Sequence, residues 1–308
     1  MPPPPTSAQV WVFAVREAEN NCMLIIRLVI AKARSYLPLI KSGQTGLLLT
    51  TGIAGYLSAH TPPDLAVLIG LIGSLFLAIS GSTILNMWYD SDIDTVMNRT
   101  HNRPLASGKV NKLEALWLGV ILSMIGVGWA IYIDALYGLV VFAGLFFDVV
   151  VYTIWLKRRT SWSIVWGGIS GGIPILAGRV LAIGQIDLVG LLLMMAVLFW
   201  IPTHILTFNM RYYDDYQAAR VPTFPSTYGF EATRAIIALS AIIAAASIGV
   251  AGVMIGIQAG ALRLMAVLST GLLLLSFATV FRPSEQVNFS LFKYASIYML
   301  ASMILLSL

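Results

Sequence analysis

Two clusters of carboxylates stand out in a chain that is otherwise poor in charge. The first lies in Ser82-Thr-Ile-Leu-Asn86-Met-Trp-Tyr-Asp90-Ser-Asp92-Ile-Asp94, where Asn86, Asp90 and Asp94 recur at i, i+4 and i+8 and fall on one helical stripe. Three carboxylates in five residues repel one another unless a cation sits among them. Oxygen donors at this spacing suit a hard cation such as Mg²⁺, which keeps several waters and takes its other ligands from phosphate oxygens. A solvated acidic helix end is the plain alternative, but Asn86 lies inside an apolar run, where an unpaired polar group is costly. The second cluster is Asp214-Asp215, preceded by His204, Asn209, Arg211, Tyr212 and Tyr213 and followed by Tyr216. Both clusters read as the C-terminal ends of apolar helices, where the macrodipole disfavours anions. That placement makes sense if metal ions bridge the two clusters through a polyanion, so Asn86, Asp90, Asp94, Asp214 and Asp215 are the candidate metal ligands.

Cations accompany the acids. Arg99, Arg103 and Lys109 follow the first cluster, and Arg211 and Arg220 flank the second. Lys41, Lys157 and Arg158 fall on the same face. Arginine suits bidentate phosphate binding. A metal-bound diphosphate held by Lys41, Arg99, Arg103, Lys109, Lys157, Arg158 and Arg211 is therefore the economical picture. For each cation taken singly, a membrane-surface anchor is the competing one.

The elements that position these residues must be membrane helices. Hydrophobic residues make up 58% of the 308 positions and charged residues 11%. A soluble domain carries about a quarter charged residues, so this chain cannot cover a soluble surface. Nine apolar runs can be traced, at about 43–60, 64–86, 113–133, 135–156, 162–182, 187–209, 233–257, 262–281 and 289–308. Each is near the roughly 20 residues that cross a hydrocarbon core. The expected fold is all-α, a nine-helix bundle around a central cavity. Residues 1–35 carry Arg16, Glu17, Glu19, Arg27, Lys32 and Arg34 and read as a segment lying in the interface; 36–308 read as one transmembrane domain. Cys22 is alone, so no intramolecular disulfide forms.

Short, nearly cation-free connections alternate with basic ones. Of the 19 Lys and Arg residues all but Arg179 and Arg263 fall on one side. The positive-inside rule places that side, the N-terminus and both acidic clusters in the cytoplasm. The net charge of +5 is then an imprint of topology, of the lipid bilayer and of an anionic substrate rather than of nucleic acid. The first residues have no charged n-region leading into an apolar stretch and no small-residue cleavage site, which suggests a multi-pass protein of a prokaryotic inner membrane. A transporter would line a midplane path with its polar groups; here almost all the carboxylates gather at one membrane edge.

Asn86-xxx-Asp90-xxx-Asp94 followed by Arg103-Pro-Leu-x-Ser-Gly108 resembles the UbiA superfamily of intramembrane prenyltransferases, over nearly the whole chain from about Tyr36. Further stretches are similar to its heme-modifying branch, the heme O synthases. They are Asp92-Ile-Asp94-x-x-Met97-x-Arg99-Thr, Tyr152-Thr-x-x-Leu-Lys157-Arg-Arg-Thr160, Gly167-Gly-Ile-x-Gly-Gly-Ile-Pro174, Trp200-x-Pro-x-His204, and Arg211-Tyr-x-Asp-Asp-Tyr216 with Val221-Pro-x-x-Pro225. In the quinone-pathway pattern Asp stands at both ends of the second motif; here Tyr212 and Tyr216 take those places. Arg179, Val180, Tyr213 and the deeply placed Asp148 depart from the branch.

The resemblance implies Mg²⁺, farnesyl diphosphate as donor and heme B as acceptor. A vinyl group would capture an allylic cation to give heme O, which a downstream heme A synthase would consume. It implies catalytic roles for Asp90, Asp94, Asp214, Tyr212, Tyr216 and His204, and a prenyl channel lined by residues such as Gly73, Phe76 and Trp166. Another acceptor (an aromatic ring, a chlorin or a glycerophosphate) is the alternative within the same superfamily.

Overall fold

The computed structural model describes residues 34–307 together with Met23, Arg27 and Lys32. The expected interfacial segment over 1–35 lies almost wholly outside them. The described chain is helical. After a 3₁₀ turn at Leu37–Ile40 come α1 (Ser42–Leu57), α2 (Leu65–Tyr89), a short α3 (Ser91–Val96) and α4 (Lys112–Ile133). Then follow α5 (Ala135–Leu156), α6 (Ser163–Ile183), α7 (Leu188–Arg211), a short α8 (Tyr213–Ala218), α9 (Phe224–Ile255), α10 (Ala259–Phe281) and α11 (Glu285–Leu306). Among the described residues eight helices are long and apolar enough to cross a bilayer. The first apolar run is the exception: α1 has 16 residues, a rise of about 24 Å against a core of about 30 Å. The nine expected runs thus become eight full spans and one short helix inside the same bundle.

The cation-free connections start helices cleanly. Asp64 accepts from Ala66 N–H and Val67 N–H (2.7 and 3.3 Å), Asp134 from Tyr137 N–H (2.7 Å) and Asp187 from Gly190 N–H (2.8 Å). These three acids are N-caps, each satisfying backbone donors that the first helical turn leaves open. The face opposite the acidic clusters therefore uses its carboxylates for architecture.

Helices α2 and α4 pack together, α7 packs on α9 and α6, α1 lies on α6, and α11 closes onto α7 and α1. Backbone meets backbone between α1 and α6. A Cβ at Gly55 would stand 2.0 Å from the Ile175 carbonyl oxygen, and one at Gly178 would stand 1.9 Å from that of Gly52. Such contacts suit a membrane interior, where helices associate by close packing rather than by a hydrophobic force.

Two local departures from regular helix shape the functional end. Residues Phe146–Leu156 of α5 are π-helical, with Lys157 N–H donating to the Tyr152 carbonyl at 2.8 Å. The chain also bends at Asp90 (φ −86°, ψ 3°) and at Tyr212 (φ −107°, ψ 34°) before α3 and α8 begin. This corrects the expectation that both acidic clusters sit at C-terminal helix ends. Asp92, Asp94, Asp214 and Asp215 occupy the first turns of new helices, where the dipole favours anions. The stripe itself continues through the joint, since Asp90 N–H donates to the Asn86 carbonyl at 3.0 Å and Asp94 N–H to that of Asp90 at 2.9 Å.

Replacing Gly178 by leucine forces α1 and α6 apart. We expect a loss of about 1–3 kcal/mol or more from overpacking, read as a lowered unfolding midpoint in detergent; an unchanged midpoint would refute the backbone contact.

Candidate active site

At the end of the bundle where α2, α5 and α7 finish, each acid of the first cluster faces its own cation. Asp90 is buried and ion-paired with Lys157, while its Oδ1 is buried without a hydrogen bond, 3.9 Å from Arg158 Nη2. Asp94, also buried, receives Arg103 Nη1 on both oxygens (2.9 and 2.8 Å). Asp92 is exposed and takes both terminal nitrogens of Arg158 at 2.7 Å. The Arg158 guanidinium holds the Asp92 carboxyl below the usual carboxylate range, against a smaller opposing effect of burial. Lys41, in a left-handed turn at φ 48°, is pushed down to about 8 by burial and then by the neighbouring charges of Arg103 and Lys157.

The second cluster joins the first through the backbone. Asp215 is buried and accepts from the N–H groups of Asn98 and Arg99 at 3.2 and 3.1 Å, pinning the loop that follows the first cluster. Arg99 in turn lies over the Phe208 and Tyr212 rings at 4.8 and 5.5 Å. Tyr216 is within electrostatic reach of Lys157, and Asp214 is exposed beside them. No hydrogen bond or ion pair among the described residues ties Lys109 into this group.

Beneath the charges lies a polar relay. Asn86 donates to Asp148 Oδ2 at 2.8 Å and accepts from Thr153 at 2.8 Å. Asp148 also accepts from Ser82, and from Ser170 at 3.4 Å. Of these residues, Ser82, Asp148 and Ser170 line a cavity of about 870 Å³, within the range of small-molecule and cofactor sites. Its wall is otherwise mainly apolar, with Leu47, Leu75, Val141, Ile173 and Leu300 among the contributors. His204 lines it too, between Trp200 and Phe292, with Nδ1 3.4 Å from Ser296 Oγ. His204 precedes Tyr212 by eight residues, about 12 Å along the helix, so it belongs to the cavity wall rather than to the charged cluster.

The structure therefore gathers Lys41, Asn86, Asp90, Asp94, Arg103, Lys157, Arg158 and Asp215 at one end of the bundle. Gly73, Phe76 and Trp166 are not in the cavity wall. Gly73 abuts Trp129, Phe76 is exposed on the outer surface, and Trp166 stacks on Phe147 at 6.3 Å. Phe76 and Trp166 lie on outward helix faces, whereas Gly73 faces α4. The relay through Asp148, Thr153 and Ser170 was missed because only Asp148 carried a signal, an acid deep in a span. Arg179, the other oddity, binds Asp187 (2.7–3.0 Å) and the Ser58 carbonyl and hydroxyl (both 2.9 Å), tying α1 to the α6–α7 connection.

No three carboxylate, imidazole or thiol groups among the described residues converge into a ready-made metal centre. The donor set nonetheless fits a hard cation, because Asp90 Oδ1 is a buried acceptor that nothing satisfies.

An all-helical bundle carrying two acidic motifs and their cations at the mouth of an apolar cavity defines a class of intramembrane enzymes, and solved structures bear out the fold. A structure titled for digeranylgeranylglyceryl phosphate synthase superposes with a TM-score of 0.75 at 18% identity, covering 90% of this chain and 98% of that one. A UbiA homologue from Archaeoglobus fulgidus bound to GPP and Mg²⁺ gives 0.64 at 14% identity, covering 89% and 100%. The UbiA prenyltransferase family model matches residues 47–300. A protoheme IX farnesyltransferase of Korarchaeum cryptofilum is 42% identical over 209 residues, 68% of this chain and 71% of that protein. The chain belongs to the UbiA prenyltransferase family, and it is a multi-pass membrane prenyltransferase.

Removing the Asp215 carboxylate by Asp215→Ala leaves two backbone donors unpaired at a loop that carries two arginines. We expect tryptic cleavage after Arg99 to quicken about tenfold or more, from the loss of charge-assisted bonds. Equal cleavage rates in the two proteins would remove Asp215 as the pin.

Proposed function

We propose that the protein transfers a farnesyl group from farnesyl diphosphate to a vinyl group of heme B, giving heme O. The observation that carries this reading is the ion pairing of two buried carboxylates, Asp90 and Asp94, above an apolar cavity. Kinship with protoheme IX farnesyltransferases at 42% identity favours heme over other acceptors.

Asp90, Asp94 and Asp214 would hold Mg²⁺, with Asn86 alongside and Asp215 fixing the loop that bears Arg99 and Arg103. Mg²⁺ when bound supplies positive charge to the diphosphate oxygens and so eases departure of the leaving group. The chain's own cations do the rest. Lys157, Arg158 and Arg103 neutralise carboxylates here, and the same cations would be available to the phosphate oxygens if those carboxylates held a metal. Lys41 adds a charge from the start of α1.

The C1–O bond of the donor breaks with its electron pair leaving on diphosphate. The allylic cation is attacked by the terminal vinyl carbon, and the new cation beside the macrocycle takes up water and loses a proton. Tyr212 and Tyr216 would offer a ring face or hydroxyl to stabilise the first cation. The apolar wall keeps bulk water from it and receives the prenyl tail. The cationic bias of this end supports a site at the cytoplasmic face, and the protein would sit in a prokaryotic inner membrane.

Cells expressing the protein should yield farnesylated heme on extraction; another prenylated product with no farnesylated heme would overturn the acceptor. Asp94→Ala should slow diphosphate release from farnesyl diphosphate by about 10²-fold or more, the scale of losing one preorganised electrostatic group, and an untouched rate would sink the metal-site account. The Lys41 ammonium sets a pH dependence. Its free value of about 8 rises when an anion binds, so affinity for diphosphate is full below pH 8 and falls as the pH climbs above it. Calorimetric titration with Mg²⁺ and inorganic pyrophosphate should show this decline, and Lys41→Met should abolish it.

A further inference from the structure

A row of rings runs along one wall of the cavity and out to its rim. Trp200 and His204 lie 5.0 Å apart at 17°, His204 and Phe292 4.3 Å apart at 21°, and Phe292 and Phe289 6.2 Å apart at 8°. The first three line the cavity, and Phe289 is half-buried at the end of the row. Two exposed cations meet on that last ring. The Arg211 guanidinium is 4.2 Å and the Lys293 ammonium 4.3 Å from its centre, so the charges stand within about 8.5 Å of each other. Neither has a carboxylate partner among the described residues, whereas Arg103, Lys157 and Arg158 each have one.

Positive-inside topology asks for cations on this face but not for two of them on one ring. At such a separation they repel, and at physiological ionic strength the repulsion is only partly screened. A dianion would relieve it. Arg211 was expected among the diphosphate ligands, yet the structure pairs it with Lys293 on the α7–α11 side, while Asp90, Asp94 and their cations belong to α2, α3, the loop beyond α3 and the end of α5. The pair therefore suits the second substrate.

We propose that Arg211 and Lys293 anchor the two propionates of the acceptor, whose macrocycle lies along the Phe292–His204–Trp200 wall. The proposal rests on heme as the acceptor. Heme carries both carboxylates on one edge and its vinyl groups away from that edge, so two cations at the rim direct the vinyl side into the cavity. Rings stacked on one another along the wall turn their edges to the cavity, and ring edges meet the face of a flat π-system favourably; charge-assisted bonds to two carboxylates supply orientation as well as affinity. The arrangement selects a planar dicarboxylate over a single phenolic ring or a glycerophosphate, which could not reach both the rim and the reacting cation.

The test compares heme with its dimethyl ester, which keeps the macrocycle and removes the charges. With purified, bilayer-reconstituted protein, absorbance titration should show at least tenfold weaker binding of the ester. Arg211→Gln with Lys293→Gln should weaken heme binding by a similar factor, leave ester binding unaltered and raise the KM for heme much more than that for farnesyl diphosphate. Equal binding of heme and ester by the wild type would overturn the anchor, and this comparison needs no variant to fold. A persistent ester penalty in the double variant would overturn it too. If the wild type discriminates heme from ester but makes no farnesylated heme, the anchor stands and the proposed activity falls.

Discussion

A carboxylate buried at the edge of a bilayer cannot remain unpaired, because desolvation of the charge costs several kcal/mol unless an opposite charge and hydrogen bonds offset it. Asp90 and Asp94 are such groups, and much of the surrounding structure follows from that constraint. Lys157 reaches Asp90 from the end of α5, and Arg103 reaches Asp94 from the loop beyond α3. The loop itself stays in place because Asp215 holds two of its amides. Removing one partner of such a pair strands the other, which costs about 3–5 kcal/mol. The same pairs that hold this end of the fold together are the groups a diphosphate and its metal would claim, so stability and function draw on one set of charges.

The π-helical end of α5 connects this charged end to the apolar interior. Wide turns at Phe146–Leu156 bring Asp148 and Tyr152 to the cavity and Thr153 to Asn86. π-turns recur at functional sites because they change which side chains share a face. Here the result is a polar path from Asn86 to Asp148, one helical turn from Asp90, with apolar wall around it. An acid that looked out of place in a span is satisfied by three neutral donors.

The opposite end of the bundle shows what carboxylates do without chemistry to perform. Asp64, Asp134 and Asp187 cap helices, and Asp187 also receives Arg179, which in turn holds Ser58. Acids at the two membrane edges are thus distinguished by their partners. On one side they face backbone donors and a single structural arginine; on the other Asp90, Asp92 and Asp94 face lysine and arginine.

Much of this was legible from sequence. Hydrophobic runs and the one-sided distribution of cations determine a multi-pass helical bundle, because no other structure satisfies the backbone of so apolar a chain in lipid. The spacing of Asn86, Asp90 and Asp94, with the arginines that follow, determines an acidic stripe with cations to hand, and the motifs reaching from Arg103 to Pro225 mark the family. Sequence could not decide that the chain bends at Asp90 and Tyr212, that Gly73, Phe76 and Trp166 turn away from the cavity, or that α1 falls short of a full span. It also could not decide which cation serves which acid. Lys157 pairs with Asp90 across 67 residues, and Arg211 and Lys293 meet on Phe289 although 82 positions separate them. Local periodicity reports which face a residue shares with its neighbours in the chain. Which faces meet is settled only when helices pack, since that choice depends on close fit between surfaces remote in sequence.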